Sequence, residues 1–496
     1  MITMTLEEVA GVVGGQVADD SGETLVTGAA FQDSRSLVAE GLFVAIVGER
    51  VDGHDFAKAA VEAGAAAALV AHPVGAPAVI VDDPVAALGR LAQHVLRLLP
   101  GLTVIGITGS QGKTSTKDLL AQILEPHGDT VAPAESFNNE IGVPLTALRA
   151  TPSTRYLVVE MGARGIGHIT YLTSMVRPSV GLVLNVGVAH IGEFGSQDQI
   201  AVGKGELIAA LPDDGMAVLN ADDARVLAMR ARTRADVLTF GRSEGVDVAL
   251  GDVVLDPNGC PEFDLTWRDC TRRIHLPVVG EHQAGNAAAA TCVALGLGIG
   301  LSDIAAALDH VLVRSHWRME IVTTPGGVTV VNDAYNANPD SVRAAVSALS
   351  ALARRQGSGT RTVAVLGEML ELGGASEPEH EALGRLVAQQ GLSLLVAVGE
   401  NARALHEAAA RDPSWAGESV WFADKQAAIE FVRGALAPGD VVLVKASRAA
   451  GFETVAAALI HDDGIGDGGR PRSGGTGSPA SRSRGHSRGD AMEGGA

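Results

Sequence analysis

Leu102-Thr-Val-Ile-Gly-Ile107 followed by Gly109-Ser110-Gln111-Gly112-Lys113-Thr114 is the stretch that decides the reading of this chain. A short apolar run predicts a buried strand, and it feeds a glycine-rich turn carrying a lysine and a hydroxyl. Glycines let backbone N–H groups close around phosphate oxygens, and the helix that follows turns the positive end of its dipole toward them. Lys113 then supplies a neutralising charge and Thr114 a hard oxygen for Mg²⁺. The full eight-residue pattern would have glycine at position 107, where this chain has Ile107, so the match is to the shortened G-x-x-G-K-T. The amphipathic stretch Ser115 to Leu124 places the turn between a strand and a helix, and a nucleoside triphosphate is the expected ligand.

Outward from this loop the chain alternates strands and helices. The apolar runs 41–47, 67–70 and 78–81, with an Ala-rich helix near 57–66, predict a small α/β unit over residues 1–98. Residues 99–317 continue with strands near 156–159, 180–184, 216–219 and 237–240, the pattern of a doubly wound, mostly parallel sheet. Within them, Val246 to Val279 alternates and carries Asp256-Pro-Asn-Gly259, predicting an antiparallel hairpin at a sheet edge. Residues 318–461 repeat the parallel α/β pattern and predict a Rossmann-like unit. Residues 462–496 are rich in Gly, Ser, Arg and Pro with almost no apolar content, and predict a disordered tail.

Composition excludes several classes. The chain has 496 residues, about three domains at one per roughly 150. Thirty-eight basic against 58 acidic residues give a net charge of −20, which argues against a nucleic-acid binder. Cys260, Cys270 and Cys292 have no metal-ligand spacing and read as reduced thiols, which points to the cytoplasm. The N-terminus carries acids where a signal peptide needs a basic region, and Thr5 and Glu8 have capping-box spacing instead. No apolar run is long enough for a membrane span, which argues against an integral membrane role. A cytoplasmic enzyme acting on small-molecule substrates as a monomer is the separate expectation.

Phosphoryl transfer needs metal ligands beside the phosphate cradle. Glu160 ends the strand near 156–159, and His190 follows Asn185 after a short turn, both at the strand edge where open α/β sheets bind ligands. Each could equally be a strand-end residue making a local hydrogen bond. Lys204, in Gly203-Lys-Gly-Glu206, is predicted to open a helix on the unfavourable side of its dipole, and from the residues alone a solvated lysine is the expectation. In Asn332-Asp333-Ala-Tyr335-Asn336-Ala-Asn338-Pro339, Asn338 and Pro339 read as a helix cap, leaving Asp333, Tyr335 and Asn336 exposed for ligands.

Taken in order, Asp33-Ser-Arg35, Asp52-Gly-His-Asp-Phe56, the phosphate loop, Ser136-Phe-Asn-Asn139, Glu160-Met-Gly162, Asn185 to His190, Glu281 to Asn286, Trp317-Arg-Met-Glu320, Asn332 to Ser341, Gly367 to Gly373 and Lys445-Ala-Ser-Arg448 resemble the Mur ligases. These are ATP-dependent enzymes that build the muramoyl peptide of bacterial cell wall. Asn332 to Ser341 resembles the branch joining D-alanyl-D-alanine to UDP-N-acetylmuramoyl-tripeptide. The Asp-Asn-Pro-Arg of the branch that adds the third residue is absent, and Asp33-Ser-Arg35 argues against the related folylpolyglutamate synthases. A nucleotide-binding regulator without ligase chemistry is the rival of another class.

The resemblance implies that Gly109 to Thr114 and Thr116 hold ATP, with Lys113 catalytic. It implies two Mg²⁺ held by Thr114, Glu160, His190 and Lys204, the last as a carbamate. Asn286 would meet adenine, Arg318 a phosphate and Asp333 the nucleotide. Ser34 and Arg35 would lie near the UDP moiety, Asn138 and Asn139 near the transferring phosphoryl group, and Tyr335, Asn336 and Asn338 near the dipeptide. One departure is Ala446, where the family often has glycine.

Overall fold

The structure is a computed structural model and describes residues 1–48, 51–189, 191–357 and 359–461. The tail predicted to be disordered and His190 lie outside the described residues.

Apart from a two-stranded antiparallel pair, Met4–Thr5 with Leu25–Val26, three larger sheets follow one another along the described residues. In the first, Gln16–Ala18, Ala78–Ile80, Ala67–Val70, Leu42–Val44 and Ala30–Phe31 lie side by side, parallel except for the first. The predicted capping box is present: Glu8 N–H donates to Thr5 Oγ1 at 3.1 Å, and Thr5 N–H to the Glu8 carboxylate at 2.8 Å, starting the helix Leu6–Val13.

The second sheet decides where a ligand can sit. Its parallel part runs Thr130–Val131, Tyr156–Glu160, Thr103–Thr108, Val180–Val183, Met216–Asn220, Asp236–Gly241 and Val248–Leu250. The strand Thr103–Thr108 has later strands on both sides, so the winding reverses there, and a crevice opens beyond its C-terminal end. Fully apolar strands such as Leu157-Val-Val159 are covered on both faces, which their sequence requires. At the far edge, Val254–Leu255, Pro261–Trp267 and Cys270–His275 pair antiparallel, as the alternation predicted. The turn at Asp256 is tied by its carboxylate to the N–H groups of Asn258 and Cys260, both at 2.8 Å.

The third sheet runs Glu320–Thr323, Thr329–Asn332, Val441–Lys445, Thr362–Gly367, Leu394–Val398 and Glu418–Phe422, antiparallel only in its first pair. Ala446 needs no glycine: its φ is not positive, and its methyl lies where a Cβ on Gly367 would be, 2.6 Å away.

The cores divide unevenly. Leu88, Leu91 and Val95 of the helix Pro84–Arg97 share one apolar cluster with Val143, Leu145, Leu172 and Met175 of the central unit. Gly89 lies so close to Met175 that a Cβ there would be 3.1 Å from its methyl. The third sheet carries two clusters of its own, touched from the central unit by half-buried Val279. Thr5→Ala should remove about 1 kcal/mol from the first helix. Amide exchange over Leu6–Val13 should therefore accelerate about fivefold, with the central strands unchanged.

Candidate active site

The phosphate loop forms where the sequence placed it. Ile107 is a fully buried strand residue, so the turn tightens only after Thr108. Gly112 adopts φ +81° and the helix Lys113–Leu124 starts immediately after it. A Cβ on Gly112 would also meet Asn286 Oδ1 at 2.5 Å, so both conformation and space require glycine. Asn185 braces the turn from the neighbouring strand end. Its Oδ1 accepts from Gln111 N–H at 3.0 Å, its Nδ2 donates to Gln111 O at 3.2 Å, and its carbonyl accepts from Ser110 N–H. Sequence reasoning gave Asn185 no role, although it sits in the same motif as His190.

Charge is concentrated behind the loop. Lys113 Nζ donates to Gly109 O at 2.7 Å, and burial lowers its ammonium pKa to about 8, opposed by Glu160 and aided by Arg318. Glu160 is fully buried at the end of its strand. Its Oε2 accepts from Ser136 at 2.8 Å and from Thr114 at 3.2 Å, and Thr114 Oγ1 in turn accepts from Arg318 Nη2 at 3.1 Å. Glu160 Oε1 is buried without a hydrogen-bond partner. A carboxylate oxygen left without a donor, beside two hydroxyls, is a hard-oxygen set that fits Mg²⁺. Ser136 is the member of this set that the sequence reading quoted in a motif and left without a role.

Lys204 corrects an expectation. It does not open a helix but closes one, Gln197–Lys204, at the end where the dipole favours a cation. It is also not solvated, being 3% exposed. Burial, then the like charge of Lys113, pushes its ammonium well below the usual lysine range, and no carboxylate pairs with it among the described residues. The Ser196-x-x-Gln199 capping spacing, with Ser196 accepting from Gln199 N–H at 3.2 Å, is the signal that would have set this helix correctly.

The third unit faces the loop across an open cleft of about 760 Å³. Asn338 caps the helix Pro339–Gln356 through Ser341 N–H at 2.9 Å, as read, and its Nδ2 also reaches Ser110 O at 3.4 Å. Asn336 is exposed to the cleft. Asp333 is not exposed as expected. It lines the cleft from a buried position, paired with Lys445 at 2.6 Å, a partner far along the chain. Half-buried Tyr335 carries the Arg318 guanidinium over its ring at 4.1 Å.

Other expected residues sit less simply. Asn138 donates to Ser136 at 3.0 Å, and Asn139 spends its side-chain oxygen on Gly142 N–H at 2.9 Å. Thr116 is fully buried and does not line the cleft. Ser34 and Arg35 lie in the first unit outside the cleft, Arg35 paired with Asp33 at 2.8 Å, although neighbouring Gln32 reaches the cleft wall. Asp52, His54 and His72 cluster in the first unit, but both His54 ring nitrogens are engaged, by Asp52 at 2.6 Å and by Ala71 N–H at 2.8 Å. That leaves this histidine no lone pair for a metal.

A strand, glycine loop and helix with a half-buried lysine, an acid and hydroxyl cluster behind it, and a second α/β layer facing it define a nucleotide-dependent phosphoryl-transfer enzyme. Comparison with known proteins agrees. Residues 107–294 match the Mur ligase middle domain, 317–448 the Mur ligase glutamate ligase domain, and 32–95 the Mur ligase family catalytic domain. The chain belongs to the Mur ligase family. It is 46% identical to the UDP-N-acetylmuramoyl-tripeptide--D-alanyl-D-alanine ligase of Mycobacterium tuberculosis (strain ATCC 25618 / H37Rv), over 94% of this chain and 99% of that protein. To the enzyme of the same name from Escherichia coli (strain K12) it is 36% identical, over 92% and 99%. The crystal structure of MurF from Acinetobacter baumannii superposes with a TM-score of 0.81 at 31% identity, covering 93% of this chain and 99% of that one. MurF ligase from Thermotoga maritima in complex with ADP gives 0.71 at 29%, covering 88% and 97%.

Because the free Lys113 ammonium titrates near 8, a bound polyphosphate must raise its pKa. Nucleotide binding should then take up a proton on the alkaline side of about 8, and affinity should fall as pH rises through that value. Calorimetry in buffers of different ionisation enthalpy checks this, and Lys113→Met should abolish the uptake.

Proposed function

We propose that this chain is an ATP-dependent ligase joining D-alanyl-D-alanine to UDP-N-acetylmuramoyl-tripeptide, acting in the cytoplasm as a monomer. One observation carries the reading. Lys113 and Thr114 on the central unit, with buried Glu160 hydrogen-bonded behind Thr114, share a single cleft with Arg318, Tyr335, Asn336 and Asn338 of the third, so phosphate and acceptor chemistry meet in one place. Similarity to enzymes of that name over nearly the whole chain supports the choice of substrates.

The chemistry follows from charge. A carboxylate is a poor electrophile, so the terminal carboxylate of the tripeptide first takes the γ-phosphoryl group of ATP, giving an acyl phosphate and ADP. Lys113, next to Thr114 in the chain, and Arg318, bonded to the Thr114 hydroxyl, neutralise the oxygens in transfer. The amine of the dipeptide then attacks the acyl carbon, a C–N bond forms, and inorganic phosphate leaves with the acyl C–O bond broken. Asn336 and Asn338 border the side from which the dipeptide enters, and Asn286 sits against Gly112 where adenine would lie. Domain contact across the cleft keeps water from the activated acyl group.

Thr114, Glu160 and, beyond the described residues, His190 would hold Mg²⁺, with Lys204 beside them. The ions would supply a Lewis acid for the phosphoryl oxygens. Lys204 serves as a carbamate in this reading. Burial shifts its amine toward the neutral, nucleophilic form, and reaction with CO₂ releases a proton and leaves a two-oxygen anion where an ammonium would be repelled by the metal ions.

Incubation with ATP, Mg²⁺, D-alanyl-D-alanine and either the diaminopimelate or the lysine tripeptide should yield the pentapeptide by mass, with one ADP and one phosphate per product. ATP turnover without acceptor, and no pentapeptide, would reject the reading. Lys113→Ala should lose on the order of 3 kcal/mol of transition-state stabilisation, more than a hundredfold in rate, while still binding the UDP substrate. Lys204→Ala should lose activity and regain part of it with short carboxylates. An active, metal-loaded wild type with unmodified Lys204 by intact mass would remove the carbamate.

A further inference from the structure

The third unit hangs on the segment from Leu312 to Arg318, between Val311 in the central core and Met319 in the next. Leu312 is 72% exposed and Val313 53%, so apolar burial does not hold the start of this segment, and only Trp317 near its end packs against the third unit's core. One polar face of the phosphate-loop helix holds it instead. Asp118 and Gln122 of the helix and Glu125, its C-cap with helical dihedrals, spaced by four and then three residues, share that face.

Asp118 accepts from the Ser315 hydroxyl at 2.6 Å. Gln122 exchanges two hydrogen bonds with the backbone of Leu312, its Oε1 accepting from N–H at 2.8 Å and its Nε2 donating to the carbonyl at 3.0 Å. Glu125 takes the Arg314 guanidinium on both carboxylate oxygens, one contact at 2.7 Å. The face is itself fixed: buried Lys117 pairs with Asp118 at 2.5 Å and donates to Pro133 O at 2.6 Å.

Three residues beyond Ser315, Arg318 reaches Thr114 at the first turn of the same helix. Trp317 and Met319 on either side of it adopt φ +59° and +53°, left-handed conformations that non-glycine residues hold only under constraint. Their peptide groups are tied down, Trp317 O by Tyr335 N–H at 3.2 Å and Met319 N–H by Asp333 at 3.2 Å. One rigid helix therefore sets both the phosphate cradle and the path of the chain that delivers the arginine.

We infer that Asp118, Gln122 and Glu125 are positioning residues that clamp the interdomain segment and so set where Arg318 meets the nucleotide. The inference rests on the ligase reading for its consequence in turnover, and on nucleotide binding alone for its consequence in affinity.

The test uses Gln122→Ala, Glu125→Arg, Arg314→Glu and the charge swap Glu125→Arg with Arg314→Glu, each in the wild-type and Arg318→Ala backgrounds. Single clamp variants should raise KM for ATP, lower kcat/KM about tenfold and weaken ATP affinity by calorimetry, with melting temperature nearly unchanged. The swap should return kcat/KM to within about twofold of wild type, and in the Arg318→Ala background the clamp variants should cost nothing further. Wild-type ATP affinity and kcat/KM in the single variants, a swap no better than its singles, or losses that add fully to Arg318→Ala would overturn the inference. If Glu125→Arg does not fold, the neutral Gln122→Ala carries the same comparison. A wild type that binds ATP but makes no pentapeptide would remove the ligase reading and leave the clamp to be decided by affinity.

Discussion

A carboxylate with no exposure to water, Glu160, faces Lys113 and Arg318, and much else in the molecule is arranged around that charge. Lys204 adds a further amine near Lys113 with no carboxylate of its own among the described residues. Lys113 and Arg318 alone outnumber the one carboxylate, in a region where desolvation already disfavours the lysine's charge. The imbalance is costly in the free protein and is relieved when a polyphosphate arrives, so ligand charge contributes where the fold cannot. Residues around the cluster serve mainly to keep it dry and in register: Asn185 braces the turn, Ser136 orients the carboxylate, and Gly112 leaves room for Asn286.

The cluster is completed from two bodies of different rigidity. The first two units are joined by a common apolar interior, whereas the third meets them chiefly through polar contacts, Asn338 to Ser110 and Arg318 to Thr114. Such contacts can form and break without exposing a core. A ligase that must admit three substrates and then exclude water needs that asymmetry.

Local features were readable from the sequence and distant ones were not. The phosphate loop, the capping box at Thr5, the helix cap at Asn338, the edge hairpin and the placement of Glu160 at a strand end all follow from residues a few positions apart. Asp333 was misjudged because its partner, Lys445, comes from another strand of the same sheet, and no local pattern announces a buried ion pair. Lys204 was misjudged for a nearer reason, since a helix boundary displaced by a few residues reversed the sign of the dipole argument.

The continuous interior between the first and central units bears on how such enzymes can be recombined. Leu88 and Met175 belong to one packing problem, and Gly89 has no room for a side chain without moving Met175. A first unit transplanted from a distant relative would bring a helix surface shaped for other neighbours, leaving voids or overlaps along its whole length. The third unit, joined through a short polar segment and carrying its own cores, can be exchanged with far fewer matched side chains. The first unit is thereby inherited together with the central sheet, while the third is free to diversify.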